Sequence, residues 1–475
     1  MNSDFEPPPK SWSALATVGG ILTALAAIAV LQSVSNNLNK AQRTEKKAGT
    51  QTVASTFEKQ DLKSIKLSGI PVPFNEIVAT KPYVAPSTGK LTAAELEMAR
   101  QAWSYFEKNW NEETGLVNSV DGFISVTLWD QAAAMAALVS AFELEIVPET
   151  EFNEKMATTL KSLAKLPLYK KELPNKVYNP KTLIPVNYGK VDQQEEIGWS
   201  AIDLGRMAIW LKIVAAKYPQ FRSDARAVWR SWDVDRLVKN GQMYGTSVVN
   251  GEELYNQEGR QGYENYAAYG LKLLGLNVDR ALNPTNYLGF VNLYNKGVPY
   301  DLRDAKTSGA NNYVLSEPFI LDGIEIGFQG LPKAFADRVL AAQQSRYEAT
   351  NQLTAVTEDN LDREPYFVYS SLFVNGEPWA VITDTGKKYN NLRFISAKAS
   401  VGWHVLYNTP YTQKLFDFVQ TNLKSEKGWY NGYYETLREP NKSLTANNNG
   451  VIMESLLYKQ VGKPLIVWAG VESSE

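Results

Sequence analysis

The sequence predicts an all-α fold, an (α/α)6 toroid of six helical hairpins with a small β-hairpin insertion, and three observations carry that reading. Between Leu91 and Gly462 about twelve segments place apolar residues at helical spacing. Some are rich in small residues, as in WDQAAAMAALVSA, and others are amphipathic with a charged face, as in EFNEKMATTLKSLAKL; these are the two kinds that inner and outer rings require. Three stretches, TGLVNS, NGQMYGT and KGWYNGYYE, share a faint repeat in which a glycine ends one helix, an apolar-polar run follows and a second helix opens.

The helices are expected near residues 92–110, 129–145, 151–166, 199–217, 221–232, 261–275, 284–295, 317–327, 332–348, 394–407, 411–424 and 447–461. The first has a legible start, with Thr92 as N-cap and Glu95 three residues on completing a capping box. One excursion breaks the helical pattern. YFVYSSLF, then Asn375-Gly376, then EPWAVIT reads as a hairpin with a tight turn that covers one mouth of the ring.

Upstream the chain has a different character. Residues 1–11 form a short tail, and 12–34 are uncharged and rich in Ala, Leu, Ile and Val, long enough for one transmembrane helix with no convincing cleavage site after it. Residues 35–90 are polar, with Pro71, Pro73, Pro82 and Pro86, and read as a flexible linker to a toroid domain over 91–475. Lys10 alone precedes the span while Lys40, Arg43, Lys46 and Lys47 follow it, a distribution that favours a cytoplasmic domain. The cysteine-free, carbohydrate-type domain points the other way, and the expected location is periplasmic or extracytoplasmic, tethered to the membrane by the N-terminal helix.

Composition excludes much chemistry. The 475 residues carry 49 basic and 51 acidic side chains with no long run of one sign, so nucleic acid is not an expected partner. Cysteine is absent and histidine occurs once, at His404 in an apolar run, which removes thiol nucleophiles and zinc clusters and leaves carboxylates to do acid–base work. No metal and no cofactor are expected. The 12 tryptophans and 25 tyrosines often stand beside glycine, asparagine or acids, a setting suited to stacking on sugar rings.

Cleaving a glycoside needs one carboxylic acid to protonate the leaving oxygen and a second carboxylate to activate water or attack the sugar. Acids set among aromatics and amides are therefore the candidates, because burial moves a carboxyl pKa towards the working range. NQEGRQGYENYAAYG supplies Glu258, Arg260, Tyr263 and Glu264, the last opening a small-residue helix that should face the ring interior. LTAVTEDNLDREPYFVY supplies Glu358 and Asp359 in a turn-rich loop, with Tyr366 beyond. Further candidates for a substrate-binding lining are Trp129, Asp130, Trp199, Asp203, Glu317, Asp322, Glu325, Trp429, Tyr433, Glu435 and Asn448. For several of these acids, helix capping or a buried pair with Arg206 competes with substrate contact.

Seven phrases in order, TLWDQAA, GWSAIDLGR, QEGRQGYENYAAYG, SEPFILDGIE, LTAVTED, GWYNGYYE and TANNNGVIMESLLYK, resemble the bacterial domain of unknown function 3131 family over about Leu91 to Gly462. More distantly the chain resembles the glycoamylase-like and endo-β-1,2-glucanase group of inverting (α/α)6 hydrolases. That resemblance implies a site lined by the Ser200–Asp203 phrase, Glu264 as general acid, and Glu358 or Asp359 as base. The sequence departs from the group at Asn265, where tyrosine is usual, and at Gly198, where a further acid is usual, and it has one extra residue before the loop acid. The expected function is inverting hydrolysis of a glucan or envelope polysaccharide; the alternative is a membrane-anchored protein that binds glycan or organises the envelope without catalysis.

Overall fold

The computed structural model describes residues 64–67, 70–73, 89–328 and 330–471. The span expected at 12–34 and most of the 35–90 linker lie outside the described residues. Among these no helix is long and apolar enough to cross a membrane. Within the linker, β1 (Ser64–Leu67) and β2 (Ile70–Pro73) pair as an antiparallel hairpin.

Eleven principal helices follow: α1 (Ala93–Asn109), α2 (Leu128–Glu143), α3 (Glu149–Leu163), α4 (Ala201–Lys217), α5 (Arg222–Arg230), α6 (Tyr263–Leu273), α7 (Glu317–Leu321, continued by a π turn over Asp322–Ile326), α8 (Pro332–Thr350), α9 (Ala397–Tyr407), α10 (Pro410–Asn422) and α11 (Ala446–Val461). α2, α4, α6, α7, α9 and α11 touch in sequence and α11 closes on α2, making an inner ring. α1, α3, α5, α8 and α10 pack outside it. The expected capping box at Thr92 and Glu95 is formed.

The helix expected at 284–295 is instead a hairpin, β5 (Leu288–Leu293) with β6 (Lys296–Asp301), packed against α8. Its reason is local. Tyr294 and Asn295 both have positive φ, 51° and 60°, and make the two-residue turn that matches strand twist. A longer hairpin, β3 (Gln242–Val249) with β4 (Glu252–Gln257), turns at Asn250-Gly251 and lies between α5 and α6 in the chain. The fold thus carries more strand than the all-α expectation allowed. The expected Asn375-Gly376 turn is present, joining Phe373–Val374 to Glu377–Pro378.

Inner helices are buried almost all round, and small residues let them approach. A Cβ on Gly270 of α6 would lie 1.9 Å from the Gly205 carbonyl oxygen of α4, and one on Gly205 would lie 2.3 Å from the Ala267 carbonyl oxygen. The contact is backbone against backbone and cannot yield by a rotamer change. Gly270→Ala is accordingly expected to destabilise the protein by about 3 kcal/mol, the upper range for overpacking, as a lowered urea midpoint with an unchanged slope.

The chain enters every inner helix from the same end of the ring. Thr127, Ser200, Gly262, Ser316, Ser396 and Thr445 stand just before the six helices. Their first turns therefore converge on one mouth, with the positive ends of six helix dipoles directed there.

Candidate active site at the mouth of the inner ring

Each first turn delivers a polar side chain: Asp130 from α2, Asp203 from α4, Tyr263 and Glu264 from α6, Glu317 from α7, Lys398 from α9, and Asn447 and Asn448 from α11. β7 (Glu358–Asn360), paired with β8 (Phe367–Ser370), adds Glu358 and Asp359. The turn-rich loop expected for these two acids is thus a short strand, and both side chains are buried.

At the centre one ammonium serves three carboxyl groups. Lys398 Nζ lies 2.5 Å from Glu317 Oε2 and 3.7 Å from Asp359 Oδ2. Glu358 accepts hydrogen bonds from the Tyr263 hydroxyl and from Thr357 Oγ1 at 2.6 Å, and is itself hydrogen-bonded to Glu317. One positive charge cannot balance three negative ones in a buried site, so a proton is retained. Burial and the neighbouring Glu317 push Glu358 up to about 8, and burial pushes Asp359 up to about 7. Burial also acts on Glu317, but Lys398 holds it below the usual carboxylate range. Asp359 Oδ1 accepts from Asn431 Nδ2 at 2.7 Å, whereas its buried Oδ2 has no hydrogen-bond donor.

Asp130 and Asp203 lie deep in the mouth yet keep partial solvent access, which marks a wet concavity above the buried cluster. Burial, reinforced by Glu258, lifts Asp203 to about 7. Trp129 and Tyr263 flank the same space, their rings 5.3 Å apart edge to face, and the Arg206 guanidinium stacks on Trp129 at 4.6 Å.

Glu264 turns to the side. It accepts from Gln257 Nε2 at 3.0 Å and from Arg303 Nη2 at 2.5 Å, and Arg303 is anchored in turn by Asp301 at 2.6 Å. Burial lifts Glu264 to about 7 against the pull of Arg303. Its helix neighbour Tyr263 reaches Glu358, so α6 links the two acid clusters through adjacent residues.

Other expected lining residues have structural partners instead. Glu258 caps α4, accepting from Ser200 Oγ at 2.8 Å and Ala201 N at 2.6 Å. Arg260 donates to the Arg303 carbonyl, Gln257 and Ser308. Glu325 is fully enclosed between Trp210 Nε1 at 2.9 Å and the Tyr266 hydroxyl at 2.6 Å. Glu435 forms a two-pronged pair with Arg346, both contacts at 2.8 Å. Trp199 and Trp429 are buried and donate to the carbonyls of Tyr244 and Met98. Asn448 is buried and ties α9 to the 429–430 segment. Tyr433 donates to the Arg438 carbonyl, and Tyr366 is exposed. Glu325, Trp199, Trp429 and Asn448 are buried with these polar atoms paired within the protein, and Glu258, Arg260 and Glu435 are held by the partners just named. His404 is packed on Phe416 and burial holds it neutral, down to about 4.

Asp322, in the π turn of α7, is buried with Oδ1 unpartnered, and burial pushes it up to about 7. A carboxyl whose folded pKa exceeds its unfolded value keeps a proton that the unfolded chain releases, so its contribution falls as pH rises from about 4 through about 7. Asp322→Asn is expected to gain on the order of 2 kcal/mol relative to wild type between pH 5 and pH 8, measured by urea unfolding. Equal differences at the two pH values would refute a protonated Asp322.

Reading residues alone missed Lys398, Asp301, Arg303 and Tyr188. Lys398 had a signal, a single charge inside the apolar run FISAKASVGW. The others lie on loops or, for Asp301, at the end of β6, and no local pattern encodes their mutual placement.

The geometry defines a class: a six-helix inner ring with an outer layer and an acid-lined mouth, the toroid of the glucoamylase-like and β-1,2-glucanase structures. A glucoamylase-like protein from Bacteroides uniformis aligns with TM-score 0.57 and 12% identity, covering 80% of this chain and 97% of that one. An endo-β-1,2-glucanase from Chitinophaga pinensis, solved with sophorotriose and glucose, aligns with TM-score 0.56 and 10% identity over 80% and 97%. That from Talaromyces funiculosus, solved with sophorose, gives 0.52 and 11% over 79% and 85%. At these identities the likeness is one of fold. By sequence the chain belongs to the DUF3131 family, proteins of unknown function, whose model matches residues 97–462. No curated protein matches it in sequence.

Proposed function

We propose that the protein is a glycoside hydrolase that cleaves a glucan or a cell-envelope polysaccharide with inversion. The observation that carries this reading is the convergence of Asp203, Glu358 and Asp359, all raised above the usual carboxylate range, with aromatic rings on one mouth of the toroid, to which Glu264 is joined through its neighbour Tyr263. Glu264 gives its proton to the leaving oxygen as the bond to the anomeric carbon breaks. Water attacks that carbon from the opposite face and passes a proton to the Glu358–Asp359 pair. The solved β-1,2-glucanases that share the fold make β-1,2-linked glucose polymers the first substrate to try. In this reading an N-terminal helix at 12–34 tethers the domain outside the cytoplasm.

The ion pair between Glu264 and Arg303 favours a second reading, a glycan-binding protein without turnover, because Arg303 opposes protonation of the acid. Incubating the full-length protein with a panel of purified α- and β-glucans separates the two. Release of reducing ends, with the first-formed anomer followed by NMR, supports an inverting hydrolase when the configuration is reversed. Retention of configuration rejects inversion, and binding without release favours the second reading.

A further inference from the structure

We infer that Tyr188, Tyr369 and Phe367 form an aromatic rail leading from the acid cluster to the rim, along which successive pyranose rings of a polymeric chain stack. The inference rests on the hydrolase reading for its reaction, not for its binding site. Tyr188 is 56% exposed, yet Asp203, Tyr369, Glu258 and Asp130 all act electrostatically on its hydroxyl, so it stands inside the concave mouth. Tyr369 is half-buried, within electrostatic reach of Glu358 and Asp203, and its ring is stacked on Tyr313 at 3.7 Å with 11° between planes. Phe367, 37% exposed, meets Tyr369 edge to face at 5.3 Å. Tyr366 beside it, 41% exposed, is held at φ 66°, a strained conformation for a tyrosine.

Tyr188 comes from the loop before α4, and Phe367 and Tyr369 from β8, which is paired with the strand that carries Glu358 and Asp359, so the rings share the mouth with the acids. A tyrosine left wet among carboxyl groups loses the burial its ring would gain in a core. A pyranose offers what this surface lacks: an apolar face of C–H groups for the ring and hydroxyls for the acids around it. An apolar protein face or the acyl region of a lipid surface would bury Asp130 and Asp203 without supplying hydroxyls. Tyr188 and Phe367 are the exposed rings of this row, so a chain stacked along it is longer than the sugars being cleaved. The substrate class is therefore a polymer, not a free di- or trisaccharide.

The test uses the full-length protein, wild type, Tyr188→Ala, Tyr188→Phe and Phe367→Ala, with each soluble glucan of the panel and its own trisaccharide. The two alanine variants should lose about tenfold more in kcat/KM on the polymer than on the trisaccharide, with KM carrying the difference, and Tyr188→Phe should stay near wild type. Equal losses on both lengths, or none on the polymer, overturn the rail. If wild type releases no sugar from any glucan, the hydrolase reading fails while the rail is still tested by electrophoresis through glucan-containing gels. Retardation of wild type that Tyr188→Ala abolishes supports it. An unretarded wild type, or equal retardation of the variant, overturns it.

Discussion

Glu264→Gln is expected to lower kcat/KM on the cleaved glucan by about 10²- to 10⁴-fold, the range that a positioned general acid supplies. Glutamine keeps one acceptor oxygen for Arg303 and puts an amide, which cannot deliver a proton, where Oε1 accepts from Gln257, a change of near-equal volume that the fold should survive. A glycosyl fluoride needs no proton on its leaving group, and turnover of that substrate should be largely retained. Wild-type kcat/KM should fall above about pH 7, where Glu264 loses its proton, and below about pH 7, where Asp359 gains one, giving a narrow bell. Asp359→Asn should remove turnover of both substrates, because water activation is lost in each case. If Glu264→Gln keeps full activity, the donor is another group; Asp203, also lifted to about 7 and reached by solvent, is the one the geometry offers.

Arg206→Met is expected to destabilise the protein by about 3–5 kcal/mol, the cost of leaving buried carboxylates without their cation. Arg206 has no exposed surface and donates to Glu454 at 3.0 Å and Asn447 at 2.7 Å, with Glu325 at 3.7 Å. Asn447 in turn holds Glu317 at 2.8 Å, so the loss should reach the mouth. Urea unfolding of Arg206→Met, and of the same variant carrying Glu325→Gln and Glu454→Gln, checks the cause. The triple variant should recover part of the loss, since neutral amides need no counter-charge. No recovery would assign the effect to lost packing against Trp129 instead.

How the chain would fold was largely visible in how its apolar residues are spaced. WDQAAAMAALVSA reads as an inner helix because it is rich in small residues, and EFNEKMATTLKSLAKL as an outer one because one face is charged. The exception at 284–295 has a local cause: the Tyr294-Asn295 turn competes with helical spacing that a short apolar run satisfies equally well. The acids of the mouth were also legible, as Asp130, Asp203, Glu264 and Glu317 each sit where an inner helix begins. Their individual roles were not. Which partner each acid takes is set by contacts no local pattern shows: Glu258 accepts from the first turn of α4, and Glu325 lies between Trp210 and Tyr266.

By itself, then, the sequence determined the periodic elements, the carboxylate-only chemistry and the helix starts at which that chemistry could lie. It takes the folded ring to bring Lys398 among three carboxyls, Arg303 onto Glu264, and Tyr188 wet among acids. Helix spacing is a property of neighbours within a few residues, whereas charge balance and burial depend on groups dozens of residues apart that closure of the ring brings together.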